Sequence, residues 1–530
     1  MALVRSLATV GGYTGISRVL GFVRDILIAA VVGTGPVADV FFVAFRLPNL
    51  FRRLFGEGAF NSAFVPLFAR HLEEGGKAAA RVFAEQTLAV LLAALLLFSA
   101  LAMAAMPWFM YLLAPGFAAE PEKFDLAVRL SRITFPYLLF MSLVALLSGL
   151  LNALYKFAAA AAAPILLNVC FIVALVVVLP LTGAPGQVLA WTVVVAGLGQ
   201  FLLLMIACHR AGVALRLPRP RLTPGVRRLL KLMAPGVLSA GALQINLLIG
   251  TIIASLQAGA VSYLYYADRV YQLPLGLIGI AFGVVLLPDL ARKLRSGAEV
   301  EAMTQLNRGL ELSMLLTLPA AVALVVIPWP IVVVLFERGI FDRASSEATA
   351  LALMAFAGGL PAYVLVKVLQ PAFFAREDTV TPFRMAVATV TANIALSLAL
   401  FWPLGHVGIA LATTLSAWLN AVLLASALFR RGFLSLDARL KARLPCIALA
   451  SLIMGAGLWA LMQWLLPWFD AGQEWRVVGL AVLVGAGLGI YAMLALILGA
   501  LRPADLKALR RRPSGPPPGP PPAPPPAPPS

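Results

Sequence analysis

Apolar runs of about 20 residues recur along the whole chain, and short polar or basic segments separate them. A helix of this length spans the hydrocarbon core of a bilayer. The runs are rich in Leu and Ala without strict alternation, which favours helices over barrel strands. The pattern therefore predicts an all-α integral membrane protein with about 14 transmembrane helices. The predicted spans are 5–33, 38–69, 82–113, 125–153, 159–180, 187–208, 226–254, 262–290, 309–336, 346–375, 382–403, 407–429, 444–466 and 476–501.

Composition excludes a chain of soluble domains. Of the 530 residues, 61% are apolar and 12% are charged, against about 45–50% and 25% in soluble proteins. No cleavable signal peptide is expected, because residues 1–10 lead straight into the first span without a small-residue cleavage site. Three scattered cysteines indicate neither a disulfide framework nor a metal site.

Basic residues are distributed very unevenly between the two sides of the membrane. An even number of spans places both termini on one side, and most of the 41 Lys and Arg residues lie in loops on that side. The opposite loops hold Lys123, Arg338, Arg343 and Arg476. The positive-inside rule then predicts a multi-pass membrane protein with both termini in the cytoplasm. The net charge of +18 reflects this topology and contact with anionic lipids, not nucleic acid.

A further set of basic residues lies inside the predicted spans or at their margins. Each would cost about 2.5–3.5 kcal/mol at the bilayer centre, so such residues normally face the bundle interior or a wet cavity. Static ion pairs and snorkelling side chains are the alternatives. Embedded carboxylates are fewer, namely Asp25, Asp39, Glu57 and Asp268. The excess of positive charge predicts a cationic cavity for an anionic ligand. The embedded basic residues are Arg18, Arg24, Arg46, Arg52, Arg53, Arg129, Arg132, Arg269 and Lys367.

Proline motifs recur in the same order, roughly 220 residues apart, which indicates an internal repeat. The matches are Leu47-Pro48 with Leu273-Pro274, Pro66 with Pro288, Pro136 with Pro361, and Pro164 with Pro382. They predict two six-helix lobes, over 1–209 and 224–430, related by a parallel repeat. Two extra C-terminal helices over 441–502 follow, and then a disordered proline-rich tail over 513–530.

Three spans carry the distinctive motifs. In span 1, Arg18 and Asp25 fall on one helix face, two turns apart. In span 2, Pro48 kinks the helix and Gly56 with Gly58 loosens it, which predicts a moving gate. Span 8 begins with Tyr263, Tyr265 and Tyr266, ahead of Asp268 and Arg269. The tyrosines are interpreted as an outer interfacial belt in preference to a sugar-stacking platform.

These motifs resemble the MurJ/MviN family, the lipid II flippases of the multidrug/oligosaccharidyl-lipid/polysaccharide exporter superfamily. The resemblance rests on Ser17 to Asp25, Ala38 to Phe68, Tyr265 to Leu275 and the loop Leu335 to Asp342. It covers the chain up to about residue 500, and the proline-rich tail lies outside it.

The resemblance implies a protein of the bacterial inner membrane that carries lipid II, the lipid-linked peptidoglycan precursor, from the cytoplasmic to the periplasmic leaflet by alternating access. It implies a central cavity for the headgroup and pyrophosphate, and a groove at spans 13 and 14 for the polyprenyl tail. The implied substrate-binding residues are Arg18, Arg24, Arg52, Arg269, Asp25, Asp39 and Asp268.

No catalytic residue, metal site or cofactor is expected. The chain has no Walker A glycine loop, so it does not hydrolyse ATP itself. Coupling to the membrane potential or to a cation is left open. Some family members place sodium-binding carboxylates on spans 7 and 12, where this chain offers Asn246 and Thr413, Thr414 and Ser416, and Gln272 replaces a glutamate of some members. Lipid II and membrane lipids are the expected partners, with cell-wall synthesis proteins as further candidates. The chain is expected to act as a monomer.

Two other functions remain open from the residues. One is an exporter of drugs or polysaccharide units within the same superfamily, which predicts a less cationic cavity. The other is a polyprenyl-dependent membrane glycosyltransferase, which needs clustered carboxylates at an outer catalytic surface. Asp125, Asp342 and Asp470 stand alone along the sequence.

Overall fold

The structure, a computed structural model, describes residues 2–52 and 60–502, and every regular element in those ranges is helical. Four residues singled out in the sequence, Arg53, Gly56, Glu57 and Gly58, lie outside the described residues, as does the proline-rich tail. The gate predicted at Gly56 and Gly58 therefore stays a prediction. Pro48 lies inside the second helix.

The N-terminal half contains nine helices within the described ranges. Gly76 interrupts the third with φ +66°, a conformation that glycine adopts without steric cost, so the predicted spans 2 and 3 meet at this residue. A 3-10 turn covers Pro115–Ala119 and a π-helical segment covers Ala174–Val178. The helices are α1 (Ala2–Val32), α2 (Pro36–Arg52), α3 (Asn61–Ala104), α4 (Met106–Leu113), α5 (Pro121–Thr134), α6 (Tyr137–Ala153), α7 (Phe157–Val173), α8 (Leu179–Thr182) and α9 (Pro185–Arg210).

The C-terminal half and a final helix pair complete the chain. Thr223 caps the first of these helices, and Asp437 caps the first helix of the pair by accepting from the amide of Leu440 at 2.7 Å. The helices are α10 (Pro224–Ala254), α11 (Ala260–Arg295), α12 (Glu299–Val326), α13 (Pro328–Phe336), α14 (Arg343–Ala357), α15 (Leu360–Phe374), α16 (Val380–Leu404), α17 (His406–Arg430), α18 (Ala438–Asp470) and α19 (Gln473–Ile497). We call α18 and α19 the C-terminal hairpin.

Within the described residues, ten helical segments are long and apolar enough to cross a membrane. The remaining predicted spans coincide with α1, α2, α10 and α11. Three of these four carry the embedded charges noted in the sequence: Arg24 lies on α1, Asp39 on α2 and Arg269 on α11. The observed helices are therefore compatible with fourteen spans.

The two halves share one hydrophobic core, and two further cores lie mainly within one half each. We call the end that holds the loops at 33–35, 255–259 and 337–342 the outer end, following the charge asymmetry, and the opposite end the inner end. One core joins both halves and includes Phe41, Tyr266 and Phe336. A second core lies within the N-terminal half together with the first turns of α10, and a third lies within the C-terminal half.

Asp378 holds the inner-end turn between α15 and α16. Its carboxylate accepts from the amide of Thr381 at 2.9 Å and from Arg431 at 2.6 Å. Hydrogen bonds from Thr381, and then the ion pair with Arg431, lower the pKa of Asp378 to about 2. The charged carboxylate therefore stabilises the fold above its unfolded pKa of about 3.9, and this contribution is lost as the pH falls towards 2.

We expect Asp378→Asn to lower the melting temperature at pH 7 by about 2 °C, because the amide loses the ion pair and weakens the turn. Thermal unfolding of the detergent-solubilised protein measures this change. Glu377→Gln, which removes the neighbouring carboxylate, is the control and should leave the melting temperature unchanged. Equal melting temperatures for both variants would contradict the role of Asp378.

Candidate functional site

An arginine and a carboxylate on α1 form the centre of the site. Arg24 is 9% exposed and Asp25 is 2% exposed. The Arg24 guanidinium donates to Oδ1 of Asp25 from Nε at 3.0 Å and from Nη2 at 2.8 Å. Its remaining nitrogen, Nη1, donates to Oδ1 of Asn168 on α7 at 3.0 Å. Asn168 in turn donates to the carbonyl of Ser17 at 2.9 Å, so it fixes Arg24 against α1.

Two residues of α11 reach this pair from the C-terminal half. The Tyr265 hydroxyl donates to Oδ1 of Asp25 at 3.1 Å, and its ring stacks on Phe42 at 3.8 Å. Arg269 places Nε 3.9 Å from Oδ2 of Asp25, with its guanidinium 4.7 Å above the Tyr265 ring. The structure therefore brings together Arg24, Asp25 and Arg269, three residues that the sequence proposed as substrate-binding.

The charges of this cluster are unbalanced. Two guanidinium groups share the single carboxylate of Asp25, so these three groups together carry one net positive charge. The Nε of Arg269 is buried and has no hydrogen-bond acceptor among the described residues, although a third of the side chain remains exposed. An unsatisfied buried donor is costly, and an anionic oxygen would satisfy it. The cluster is therefore suited to a phosphate-bearing ligand.

The other predicted arginines lie at separate places. Arg18 is exposed on α1 and packs against α11 at Gly276, where a Cβ would lie 2.8 Å from the arginine Nη1. Glycine at 276 thus leaves room for this side chain. Arg52 donates from Nε to Asn49 on its own helix at 3.1 Å. Arg46 donates to the hydroxyl of Thr251 on α10, which joins the two halves.

Asp268 lies beside Arg269 in sequence, and its carboxylate forms a hydrogen bond within α11. Its carboxylate accepts from the Gln272 amide one turn further along α11. The carboxylate that the structure pairs with Arg269 is Asp25, across the boundary between the halves. A test of static pairing at Arg269 therefore has to take account of Asp25 and of Arg24, which shares it.

Asp39 is fully buried at the outer end, apart from the arginine cluster. It accepts from Lys123 at 3.3 Å, from the amide of Gly259 at 2.9 Å, and from both the amide (3.1 Å) and the hydroxyl (2.6 Å) of Ser262. Lys123 belongs to the N-terminal half, whereas Gly259 and Ser262 belong to the C-terminal half. Asp39 therefore ties the halves together in this conformation, and its oxygens are occupied by protein donors.

Further contacts between the halves surround Asp39. The hydroxyls of Thr34 and Ser345 lie 2.6 Å apart, and the amide of Ile340 donates to the carbonyl of Ala30 at 3.0 Å. Gly339 comes so close to α1 that a Cβ would lie 2.0 Å from the Ala30 carbonyl oxygen. We call this set the outer seal. Its members are Ala30, Thr34, Asp39 and Lys123 from the N-terminal half with Ser262, Gly339, Ile340 and Ser345 from the C-terminal half.

Two interpretations of the sequence, one for the tyrosines of α11 and one for Lys123, are wrong. The tyrosines of α11 do not form an interfacial belt, because Tyr266 is fully buried and donates to the carbonyl of Gly33 at 3.0 Å, while Tyr265 bonds Asp25. Lys123 is not a loop residue, since it lies on α5, is 5% exposed, pairs with Asp39 and lies 4.6 Å above the Phe117 ring. Buried partners supplied by the other half explain both errors.

Asn246 of α10, which the sequence offers where some family members have a sodium-binding carboxylate, pairs with an amide of α16. Asn393 donates to Asn246 at 2.7 Å, and the Ser397 hydroxyl lies 3.5 Å from Asn393 Oδ1. The described part of the chain contains no group of three or more His, Cys, Asp or Glu residues arranged to hold a metal ion.

Comparison with known proteins identifies the family. The sequence model described as "Lipid II flippase MurJ" matches residues 28–478. The chain belongs to the MurJ family. A protein of Rhizobium tropici named "Probable lipid II flippase MurJ" is 46% identical over 521 residues, which cover 96% of each chain. "Lipid II flippase MurJ" of Burkholderia cenocepacia is 39% identical over 438 residues, covering 82% of this chain and 85% of its own.

Solved structures give the same fold. The structure titled "Lipid II flippase MurJ, inward closed conformation" superposes with a TM-score of 0.75 at 24% identity, covering 94% of this chain and 99% of the other. An inward-facing multidrug resistance transporter of the MATE family superposes with a TM-score of 0.63 at 14% identity, covering 79% and 95%. The fold class predicted from the sequence is confirmed, and the chain is a MurJ-family transporter.

Sequence reasoning missed Asn168 and Ser262, which position Arg24 and Asp39. Asn168 is a lone amide in the middle of an apolar span, and an isolated polar residue at that depth signals a buried partner. Ser262 offered no such signal, because serine is common in membrane helices.

Proposed function

We propose that this protein carries lipid II, the lipid-linked peptidoglycan precursor, from the cytoplasmic to the periplasmic leaflet of the bacterial inner membrane. The observation that carries the proposal is the cluster in which Arg24 and Arg269, one from each half, converge on Asp25. Membership of the MurJ family, with relatives named as lipid II flippases, supports the choice of substrate.

Pyrophosphate chemistry suits this cluster. The planar fork of arginine matches phosphate oxygens in a bidentate way and stays protonated at any working pH. In this conformation, the carboxylate of Asp25 is the anionic partner of both guanidinium groups. We propose that the pyrophosphate takes over the free donors of Arg269 when lipid II binds, while Asn168 keeps Arg24 in position. The proposed roles of Arg18, Arg52 and Asp268 at the same cavity rest on the resemblance alone.

The contacts of the outer seal support transport by alternating access. In this conformation the halves are joined at the outer end by Asp39, Thr34 and Ile340. Release to the periplasm requires these contacts to break, since they close the path between the halves. We propose that Asp39 acts as a latch that holds the outer end closed while the headgroup enters from the inside.

Several finer features belong to the same proposal. Both termini face the cytoplasm, and the polyprenyl tail stays in lipid along the C-terminal hairpin while the headgroup crosses. The protein works as a monomer near cell-wall synthesis proteins, without a bound cofactor. The membrane potential or a cation gradient supplies the driving force. The proline-rich tail is dispensable for transport, because its composition cannot form a packed core.

Reconstitution tests the proposed function. Purified protein in vesicles loaded with lipid II on one leaflet should bring the headgroup to the other leaflet without ATP, measured by its accessibility to an impermeant headgroup-modifying enzyme. Protein-free vesicles and the Arg24→Ala variant are the controls. Formation of a glycan polymer in the same vesicles would indicate a glycosyltransferase instead. Transport of drugs but not lipid II would indicate an exporter.

Cysteine labelling tests the proposed topology. In a background without Cys170, Cys208 and Cys446, we expect Ala471→Cys at the outer end to react with an impermeant thiol reagent in intact cells. Ser296→Cys at the inner end should react only after permeabilisation, because the charge asymmetry places that loop in the cytoplasm. Both residues are exposed, so labelling reports the side of the membrane. The reverse pattern would overturn the topology.

A further inference from the structure

The buried carboxylate of Glu311 on α12 forms ion pairs with the arginines at the start of the C-terminal hairpin. Glu311 is 2% exposed. Arg439 donates to it from Nη2 at 3.0 Å and from Nε at 3.0 Å, and Arg443, itself 5% exposed, donates to Oε1. Arg308, one turn earlier on α12, also donates to Glu311. Three guanidiniums from two elements therefore meet at one carboxylate.

The cluster extends to the cap of α18. Arg308 also donates to Asp437, whose other oxygen caps α18 at the amide of Leu440. Asn307 donates to the carbonyl of Ser435 at 2.9 Å, just before this cap. The first turn of α18 is thus attached to α12 by side chains of both signs. None of these residues belongs to the arginine cluster at Asp25 or to the outer seal.

The hairpin is fastened to the C-terminal half at two further levels. In the middle, the Tyr491 hydroxyl donates to the carbonyl of Leu315 at 2.7 Å, and a Cβ at Gly455 would lie 2.6 Å from Val322 Cγ1. At the outer end, Arg476 pairs with Glu337 at 3.0 Å and Arg343 pairs with Asp470 at 3.1 Å. These attachments are to α12, to α14 and to the loop between α13 and α14.

We infer that Glu311 is a positioning residue that fixes the C-terminal hairpin to α12, so that the hairpin moves with the C-terminal half as one rigid body during transport. The inference rests on the proposed function, because it concerns the motion that carries lipid II across. A hairpin that moves with α12 keeps the tail groove at a constant distance from Arg269 on α11, while the N-terminal half moves relative to both.

Glu311 is the key residue of this cluster because its carboxylate neutralises Arg443, which is buried near the start of α18. Without the charge of Glu311, Arg443 would remain buried with no carboxylate from α12. Removing one partner of a buried ion pair is strongly destabilising, because the other charge stays buried. Arg439, with 42% of its side chain exposed, could turn towards solvent. The first turn of α18 should then separate from α12, even though the hairpin stays in the membrane.

Crosslinking within the rigid body gives the first test. In a cysteine-free background, Val322→Cys with Gly455→Cys should form a disulfide, and flipping of lipid II in vesicles should stay within about twofold of the reduced protein. Thr34→Cys with Ser345→Cys, across the outer seal, is the matched control. Its disulfide should lower flipping by at least about tenfold, and reductant should restore it. A comparable reversible loss with the 322–455 disulfide would overturn the inference.

Charge removal gives a second test that does not depend on transport. Glu311→Gln should lower the yield of the 322–455 disulfide by about threefold or more, whereas Glu74→Gln, an exposed carboxylate at the inner end, should leave it unchanged. If Glu311→Gln fails to insert, Arg439→Gln should give a smaller decrease. Yields equal to the parent in the inserted variant would overturn the role of Glu311. Absence of lipid II flipping in the parent, with the yields as expected, would refute the proposed function alone.

Discussion

Alanine in place of Arg24 or Arg269 is expected to lower lipid II flipping by at least about a hundredfold, with the protein still inserted and abundant. Arg24 holds Asp25 and Asn168 in place through its guanidinium, and Arg269 has a buried Nε without an acceptor in the described structure. The loss should be measured as lipid II reaching the outer leaflet, normalised to protein in the membrane. Arg295→Ala, at an exposed inner-end arginine, is the control and should transport normally.

Lysine at the same positions should restore transport only in part. An ammonium keeps the charge but loses the bidentate fit to two phosphate oxygens. At Arg24 it would also lose one of the contacts that the guanidinium now makes with Asp25 and Asn168 together. Full activity of both lysine variants would show that charge alone is sufficient and that the fork geometry has no role.

A neutral substitution of Arg269 separates ligand binding from static pairing. If Arg269 only neutralises Asp25, Arg269→Gln should keep flipping, because Asp25 stays paired with Arg24. If Arg269 binds the pyrophosphate, Arg269→Gln should be as inactive as Arg269→Ala. Asp25 is left unchanged in this test, because Asp25→Asn would leave the buried Arg24 without its carboxylate.

The architecture could be predicted from the sequence because it depends on local patterns. Apolar runs set the spans, the basic loops set the expected topology, and the motif around Arg24 and Asp25 led to the family. The high cost of an arginine in lipid also indicated that Arg24 and Arg269 face the interior. The structure places both at one carboxylate, as a shared site requires.

Partnerships between distant helices could not be predicted in the same way. Tyr265 looked like an interfacial residue because nothing in α11 reveals that Asp25 of α1 lies opposite its hydroxyl. Lys123 looked like a loop cation because its counter-ion, Asp39, is 84 positions away. Glu311 drew no attention, since one carboxylate near a span end is ordinary until Arg439 and Arg443 are seen to converge on it. Such contacts depend on helix packing, which periodicity does not specify.

Asp39→Asn is expected to lower flipping by at least about tenfold by loosening the outer seal. The substitution would leave Lys123 buried without a counter-ion and would weaken the bonds from Gly259 and Ser262 in the other half. The closed outer end should therefore become less populated. Ser345→Cys, 6% exposed at the seal, reports this change, because an impermeant thiol reagent should label it faster in intact cells when Asp39 is Asn.

Removing the charge of Lys123 as well should reverse the effect of Asp39→Asn on the labelling rate. Lys123→Met combined with Asp39→Asn leaves no unpaired charge at the seal, so labelling of Ser345→Cys should slow towards the parent rate. Asp125→Asn, an exposed carboxylate on the same helix as Lys123, should change neither labelling nor flipping. The resemblance to lipid II flippases implied instead that Asp39 binds substrate. Loss of flipping by Asp39→Asn with an unchanged labelling rate, and no recovery in the double variant, would favour that ligand role over the latch.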